Sequence, residues 1–309
     1  MWIGEADSLS ITVVIDNYVD SLLAEKPNLK RWGLPQTVLS LEQPVAEHGL
    51  SLLVEVYAGK QFKRMLMDCG FTPVGVPHNL RLLKVDVNSL DAFFLSHGHR
   101  DHYAALTRVL EAREEPLTVI THPDAFQTRF FMLPSGVTLG PWKLEEADVE
   151  RAGGRILKVR EPQVLAPGLA TTGEVERVTD FERPMAIART LKNGSLVQDL
   201  ILDDQALLVK LSGKGLVVIS GCAHAGIINT CKHSLKIGDA SKLYAVIGGF
   251  HLSGAKEEVV TRTVKELKAL NPELIVPMHC TGFEAVKRLS EELPHAFTLS
   301  SVGTRINFT

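Results

Sequence analysis

The stretch "HGHRDH" sets His97, His99, Asp101 and His102 within six residues, in a chain with only 11 histidines among 309 residues. A folded core gains nothing from clustered imidazoles, because each buried ring needs a hydrogen-bond partner. Metal ligation is the chemistry that rewards such a cluster. His97 and His99 are two apart, so an extended backbone sends both rings to one side. Asp101 and His102 open the stretch that follows and can reach a neighbouring position. One short loop can thus feed two ions. Imidazole and carboxylate ligands suit zinc first, with manganese(II) or iron(II) as alternatives.

The other notable histidines extend the pattern. "FFLS" ends and His97 follows; "VVIS" ends and "GCAH" delivers His224; "YAVIGGF" ends and His251 follows; "LIVPM" ends and His279 follows. Four apolar runs each release a histidine just past their carboxyl ends, where layered α/β proteins build their sites. Asp16 and Asn17 end "VVIDN" and Asp68 ends the run before "CG", so they are candidates for lining or supporting the same site. Glu47 and His48 in "AEHG" are candidates for the groove wall, against a plain turn or hydrogen-bonded support. Cys222, two residues before His224, reads as a small buried residue or as a soft ligand, with burial favoured. His122 in "THPD" reads as a helix N-cap with Pro in the first turn and stays outside the metal set. His78, His233 and His295 read as surface or structural.

The elements that position these residues are short β-branched runs: 11–15, 52–56, 64–68, 92–96, 117–121, 206–211, 216–220, 243–247 and 273–277. The first pair of these after residue 50 forms a hairpin around Ala58-Gly59-Lys60. Helical periodicity appears over 103–115, 257–270 and 284–293. Mixed sheets covered by helices are the simplest layering, hence an α/β fold. Residues 122–200 are rich in Gly, Pro and charge and read as an insertion or lid over one end of the sheets, or as a solvated excursion. Hydrophobic residues make up 45% and charged residues 22%, with a formal net charge of −3. That balance carries no basic bias and speaks against nucleic acid as partner. The four cysteines form no C-x-x-C pair, the amino terminus lacks the layout of a signal peptide, and no run approaches the ~18 apolar residues of a membrane span. A soluble, cytoplasmic protein is expected. "GKG" (213–215) lacks the spacing of a phosphate-binding loop, and no Ser-His-Asp arrangement competes.

"HGHRDH" matches the H-x-H-x-D-H motif of the metallo-β-lactamase superfamily in full. With "AEHGLSLLVEV", "LMDCGFTP", "LDAFFLSHGHRDH", "LDDQALLVKLSGKGLVVISGCAHAGIINT", "VIGGFHL" and "VPMHCTG", the chain resembles the branch described as 7,8-dihydropterin-6-methyl-4-(β-D-ribofuranosyl)aminobenzene-5′-phosphate synthases, from Ile11 to about Gly282. The resemblance is weakest over 122–200. It implies one αββα sandwich over 1–309, two mixed sheets with helices outside and metals in a groove at one edge. It implies His97, His99 and His224 at one position, Asp101, His102 and His279 at the other, and Asp68 as support for a ligand histidine. The implied activity is hydrolysis by metal-activated hydroxide of a phosphate- or pterin-bearing small molecule, with Asp101 orienting the hydroxide. The alternatives are the synthase reaction of methanopterin-type biosynthesis and, in another class, a di-iron redox or sensor protein. A phosphorylated substrate would meet arginines of the insertion, among them Arg155, Arg160, Arg177 and Arg183. The chain also departs from the superfamily: where most members carry a metal-bridging aspartate, the resemblance aligns His251. An imidazole presents one free nitrogen, so His251 would ligate one ion or act as a general acid–base. The rival reading gives the bridge to Cys222 as a thiolate.

Overall fold

The computed structural model describes residues 3–309. All nine apolar runs form strands. They segregate into two sheets. The first runs in the order Leu29–Lys30, Arg305–Phe308, Ser8–Ile15, Ser51–Ala58, Gln61–Met67, Ala92–Phe94, Leu117–Thr121, Gly154–Lys158. It is antiparallel through the Ser51–Ala58/Gln61–Met67 hairpin and parallel from Gln61–Met67 onward. The second runs Val164–Ala166, Leu169–Thr171, Ala206–Leu211, Gly215–Ser220, Leu243–Gly249, Leu274–Met278. Its last three strands are parallel.

Near-continuous apolar runs mean strands buried on both faces, and the packing bears this out. Ile11, Val13, Val54, Met65 and Phe94 of the first sheet meet Leu207, Val209, Val217, Ile219, Ile247 and Val276 of the second in one inter-sheet core. The opposite face of the second sheet (Leu208, Val218, Val246, Ile275) is covered by helices Ile227–Ile237, Glu257–Leu270 and Phe283–Glu292. The opposite face of the first sheet (Leu53, Leu66, Phe93, Val119) is covered by helices Gly75–Leu82, Leu106–Glu111 and Glu146–Arg151. The layers are therefore αββα, as the resemblance implies. Each such buried Leu, Ile or Phe stabilises the sandwich by about 1.5–3 kcal/mol.

Two local readings need correction. The helix expected over 103–115 is shorter: Arg100–His102 is a 3-10 turn and the α-helix is Leu106–Glu111. The His102 carbonyl accepts from the Cys69 N–H, and the Ala105 N–H donates to the Cys69 carbonyl, so this stretch is tied to the end of the hairpin instead of winding freely. The tract 122–200 is also divided. Gly154–Lys158 is an edge strand of the first sheet, and Val164–Ala166 and Leu169–Thr171 close one edge of the second. Only Arg129–Met132, Thr138–Trp142, Ala188–Lys192 and Ser195–Gln198 stand apart, as a third, four-stranded antiparallel sheet. Among the described residues no helix is long and apolar enough to cross a membrane.

Candidate metal centre

The carboxyl ends of Ala92–Phe94, Gly215–Ser220, Leu243–Gly249 and Leu274–Met278 deliver His97, His224, His251 and His279 to one place. The "HGH" loop is seated by its glycine. A Cβ on Gly98 would overlap the Ala125 carbonyl oxygen and the Arg129 guanidinium. Gly98→Ala is therefore expected to lower stability by about 1–3 kcal/mol and to displace both flanking histidines. Chemical denaturation, with metal uptake measured on the same sample, checks both effects; wild-type values for both would contradict the packing.

Two sets of donor atoms converge. In the first, His97 Nε2 lies 3.0 Å from His99 Nδ1 and 3.2 Å from His224 Nε2. Ligands about 2.0–2.1 Å from a tetrahedral zinc sit about 3.3 Å apart, so these separations suit one ion. Burial, followed by the neighbouring histidines, pushes His97 and His224 well below the usual imidazole range. Burial and then Arg129 bring His99 to about 3. The three rings are neutral, which is the form that ligates. His99 Nε2, His224 Nδ1 and His251 Nδ1 are buried without a hydrogen-bond partner. The nitrogens that face one another are the others, His97 Nε2, His99 Nδ1 and His224 Nε2, and their convergence fits a cation.

In the second set, Asp101 Oδ2 lies 3.2 Å from His279 Nε2, 3.8 Å from His102 Nε2 and 3.7 Å from the exposed His48 Nε2. Burial alone would raise the Asp101 pKa, but His102 and then His279 outweigh it and hold the carboxyl well below its ordinary range.

The supporting residues fix which nitrogens are free. Asp68 Oδ2 accepts from His102 Nδ1 at 2.7 Å and from the Ser96 hydroxyl at 2.7 Å, and Oδ1 accepts from the Ser96 N–H. Since the Ser96 hydroxyl donates to Asp68, its oxygen accepts from His97 Nδ1, 2.9 Å away. Asp68 thereby keeps a proton on Nδ1 of both rings, so that Nε2 is the ligating nitrogen of His97 and, once its own proton is lost, of His102. Asn17 Oδ1 lies 3.0 Å from His279 Nδ1, and Asp16 Oδ1 accepts the His279 backbone N–H. Asn17 Nδ2 also reaches His48 Nδ1 at 3.2 Å. Glu47 does not face the donors. Its oxygens accept from the Phe71 and Thr72 N–H groups and the Thr72 hydroxyl, holding the loop beyond the hairpin.

The atom between the two sets is a sulfur. Cys222 Sγ lies 3.1 Å from His102 Nε2, and it groups within 4.8 Å with donors of His97 and His102, of His279 and Cys280, and of His224 and His251. His251 groups with Cys222 and His224, not with Asp101, His102 and His279. Its ring lies against His224, with centroids 4.2 Å apart. Phe250, anchored in the outer core, and a left-handed backbone at His251 turn the ring that way.

Above the donors is a groove of about 440 Å³, lined by His48, Phe71, Arg100, Phe131, Trp142 and Met185 together with the site residues. The third sheet supplies its apolar wall: Phe131 and Trp142 pack edge to face, with centroids 4.6 Å apart. That sheet is tied to the "HGH" loop by a fully buried arginine. Arg129 binds Asp199 at 2.8 Å and pairs with Asp203, whose other oxygen accepts the Gly98 N–H at 2.7 Å. Asp204 accepts the Ala225 N–H and shapes the loop carrying Cys222 and His224; burial raises its pKa to about 6.

The arginines expected to meet a phosphate do not line the groove. Arg160 is paired with Asp124 and Glu174, and Arg177 bonds the Leu200 carbonyl. Arg155 and Arg183 are also absent from its lining. Arg100, exposed and stacked at 5.9 Å over Phe71, is the cation at the mouth. His122 caps the short helix Pro123–Phe126, as read from sequence. The reasoning from sequence missed Ser96, Cys280, Arg129, Asp203 and the aromatic wall. Ser96 and Cys280 adjoin His97 and His279, so position alone was an available signal for them.

No protein-family model matches the chain. The chain is 35% identical over 286 residues to the 7,8-dihydropterin-6-methyl-4-(β-D-ribofuranosyl)-aminobenzene-5′-phosphate synthase of Methanocaldococcus jannaschii, covering 91% of this chain and 97% of that protein. It is 33% identical over 249 residues to an uncharacterised protein of the same organism, covering 80% and 88%. Among solved structures, Tm1679, described as a metal-dependent hydrolase of the β-lactamase superfamily, superposes with a TM-score of 0.74 at 23% identity over 97% of this chain and 98% of that one. The metallo-β-lactamase fold protein YhfI from Bacillus subtilis gives 0.55 at 13% identity, over 98% and 100%. The two structures share the metallo-β-lactamase fold, the first relative shares the sequence across nearly its whole length, and the chain accordingly belongs to the enzyme family of that dihydropterin ribofuranosylaminobenzene phosphate synthase.

Proposed function

We propose that this chain joins the methyl carbon of a pterin to the amine nitrogen of a ribofuranosylaminobenzene phosphate, the bond from that carbon to an activated oxygen leaving group breaking and the amine proton passing to solvent, with metal ions that would be held by His97, His99 and His224 and by Asp101, His102 and His279. The observation that carries the reading is the aromatic groove directly over two adjoining donor sets. A flat pterin stacks on a wall such as Phe131 and Trp142, and Arg100 at the mouth offers its guanidinium to a phosphate. Bound divalent ions supply Lewis-acid polarisation of the leaving-group oxygen. Asp68, through His102 and Ser96, and Asn17, through His279, hold the ligand nitrogens in the ligating tautomer. The wall excludes water from the carbon that the amine attacks.

The relative whose name carries this reaction supports the reading by its coverage. Hydrolysis is the second reading. It is favoured by the partial exposure of the Asp101 carboxylate, which places solvent beside the second position. One assay separates them. Metal-loaded protein is given a dihydropterin bearing an activated 6-methyl group, with and without the amine, and products are weighed by mass spectrometry. The joined product supports synthesis; hydrolysis at an equal rate with and without amine refutes it.

The second position should also bind metal in a pH-dependent way. Burial lowers the His102 pKa, but Asp68 and then Asp101 outweigh it and raise it to about 9. Below that pH an incoming ion must displace the His102 proton. Affinity is expected to rise by at least about tenfold per pH unit as pH climbs toward that value. Cobalt titrations at about pH 6 and pH 8 measure it; equal affinities would rule out His102 as the proton-linked ligand.

A further inference from the structure

Four cysteines are buried and reduced, but they fall into two kinds. Cys69 packs in the outer core of the first sheet and Cys231 in that of the second. Cys222 and Cys280 belong to none of the three apolar clusters. Their sulfurs instead face each other at 3.3 Å. Donor atoms of Cys222, His279 and Cys280 lie within 4.8 Å of one another, and Cys222 Sγ is 3.1 Å from His102 Nε2. His251 and His224 flank the same pair through Cys222, with donor atoms of the three within 4.8 Å of one another. Room for this thiol is kept by a glycine: a Cβ on Gly249 would lie 2.7 Å from Cys280 Sγ. Two sulfurs in contact, ringed by imidazoles and not by aliphatic side chains, have the composition of a cation site.

We propose that Cys222 and Cys280 act together as a dithiolate that holds a thiophilic divalent cation at the second position, beside His102 and His279. The inference rests on the metal-dependent reading of the centre and adds its chemical selectivity. Two soft sulfurs favour zinc, cadmium or cobalt over magnesium or manganese, which prefer oxygen. On binding, each thiol loses its proton to solvent and each sulfur donates a lone pair; no electron transfer is involved.

The test loads reduced, metal-free, full-length protein with cobalt(II). Cobalt bound by nitrogen shows visible d–d bands, and cobalt bound by thiolate adds a near-ultraviolet charge-transfer band. Wild type should show both. The charge-transfer band should fall to roughly half in Cys222→Ala and in Cys280→Ala, and vanish in the double variant, while the d–d bands persist. A wild-type band in Cys280→Ala overturns the dithiolate, as does a visible spectrum with no charge-transfer band, and either leaves the metal-dependent reading standing. Absence of all cobalt bands removes both. Cadmium-113 NMR of the unaltered protein avoids any folding defect in the variants. One strongly deshielded, thiolate-type resonance is expected, and signals confined to the nitrogen and oxygen range refute the proposal.

Discussion

Asp68→Asn should weaken metal binding at both positions, by about 10- to 100-fold each, while leaving the fold intact. One carboxylate serves both sets, through His102 directly and through Ser96 to His97. An asparagine keeps one acceptor: an NH2 group in place of Oδ2 would oppose both His102 Nδ1–H and the Ser96 hydroxyl, and one in place of Oδ1 would oppose the Ser96 backbone N–H. The imidazole tautomers are then no longer fixed, and Nε2 of each ring spends time protonated and unable to ligate. The backbone tolerates the change well. Asp68 has a left-handed conformation, φ 60°, which asparagine adopts more readily than most residues. Competition against a chromophoric chelator measures both affinities, and circular dichroism monitors the fold. A loss confined to one position would mean that the Ser96 relay does not act.

Arg129→Met should destabilise the protein by about 3–5 kcal/mol, since it strands two buried carboxylates. Arg129 is 1% exposed, and its partners Asp199 and Asp203 are 4% and 0% exposed. Their charges are worth little to stability as a set, because desolvation offsets much of their attraction, but removing one member leaves the others uncompensated. The triple variant Arg129→Met, Asp199→Asn, Asp203→Asn should therefore recover most of the loss. Urea denaturation reads both values. A single variant within about 1 kcal/mol of wild type would show that water already reaches the network.

The sandwich was legible because its strands are apolar on both faces and end in turn residues. "ALLVKL", "LVVIS" and "LYAVI" pair in the central part of the second sheet. The third sheet was not legible. "TLGPW" and "SLVQ" are almost wholly exposed, short and mixed in character, so no periodic burial marks them. The histidines could be found because parallel strands place their carboxyl ends together. The central place of Cys222 was legible only as the rival to burial, since a cysteine after an apolar strand looks the same whether it fills a core or faces a cation. The aromatic wall also escaped notice, because Phe131 and Trp142 meet the donors only after some 30 to 40 residues of intervening chain have folded back.

Asp68, Ala223, His251 and His279 all hold left-handed backbone, with φ between 48° and 60°. Each such residue costs on the order of 1–3 kcal/mol, which the two sheets must offset. A reserve of that size has a genetic consequence. Substitutions in the sheets that a relaxed protein would tolerate will here erode activity first, as the turns that carry the donors relax before the sandwich opens. Variants selected for thermal endurance alone are expected to accumulate at these turns, with Ala223→Gly among the earliest, and lineages freed from selection on catalysis should lose the strained geometry long before they lose the fold.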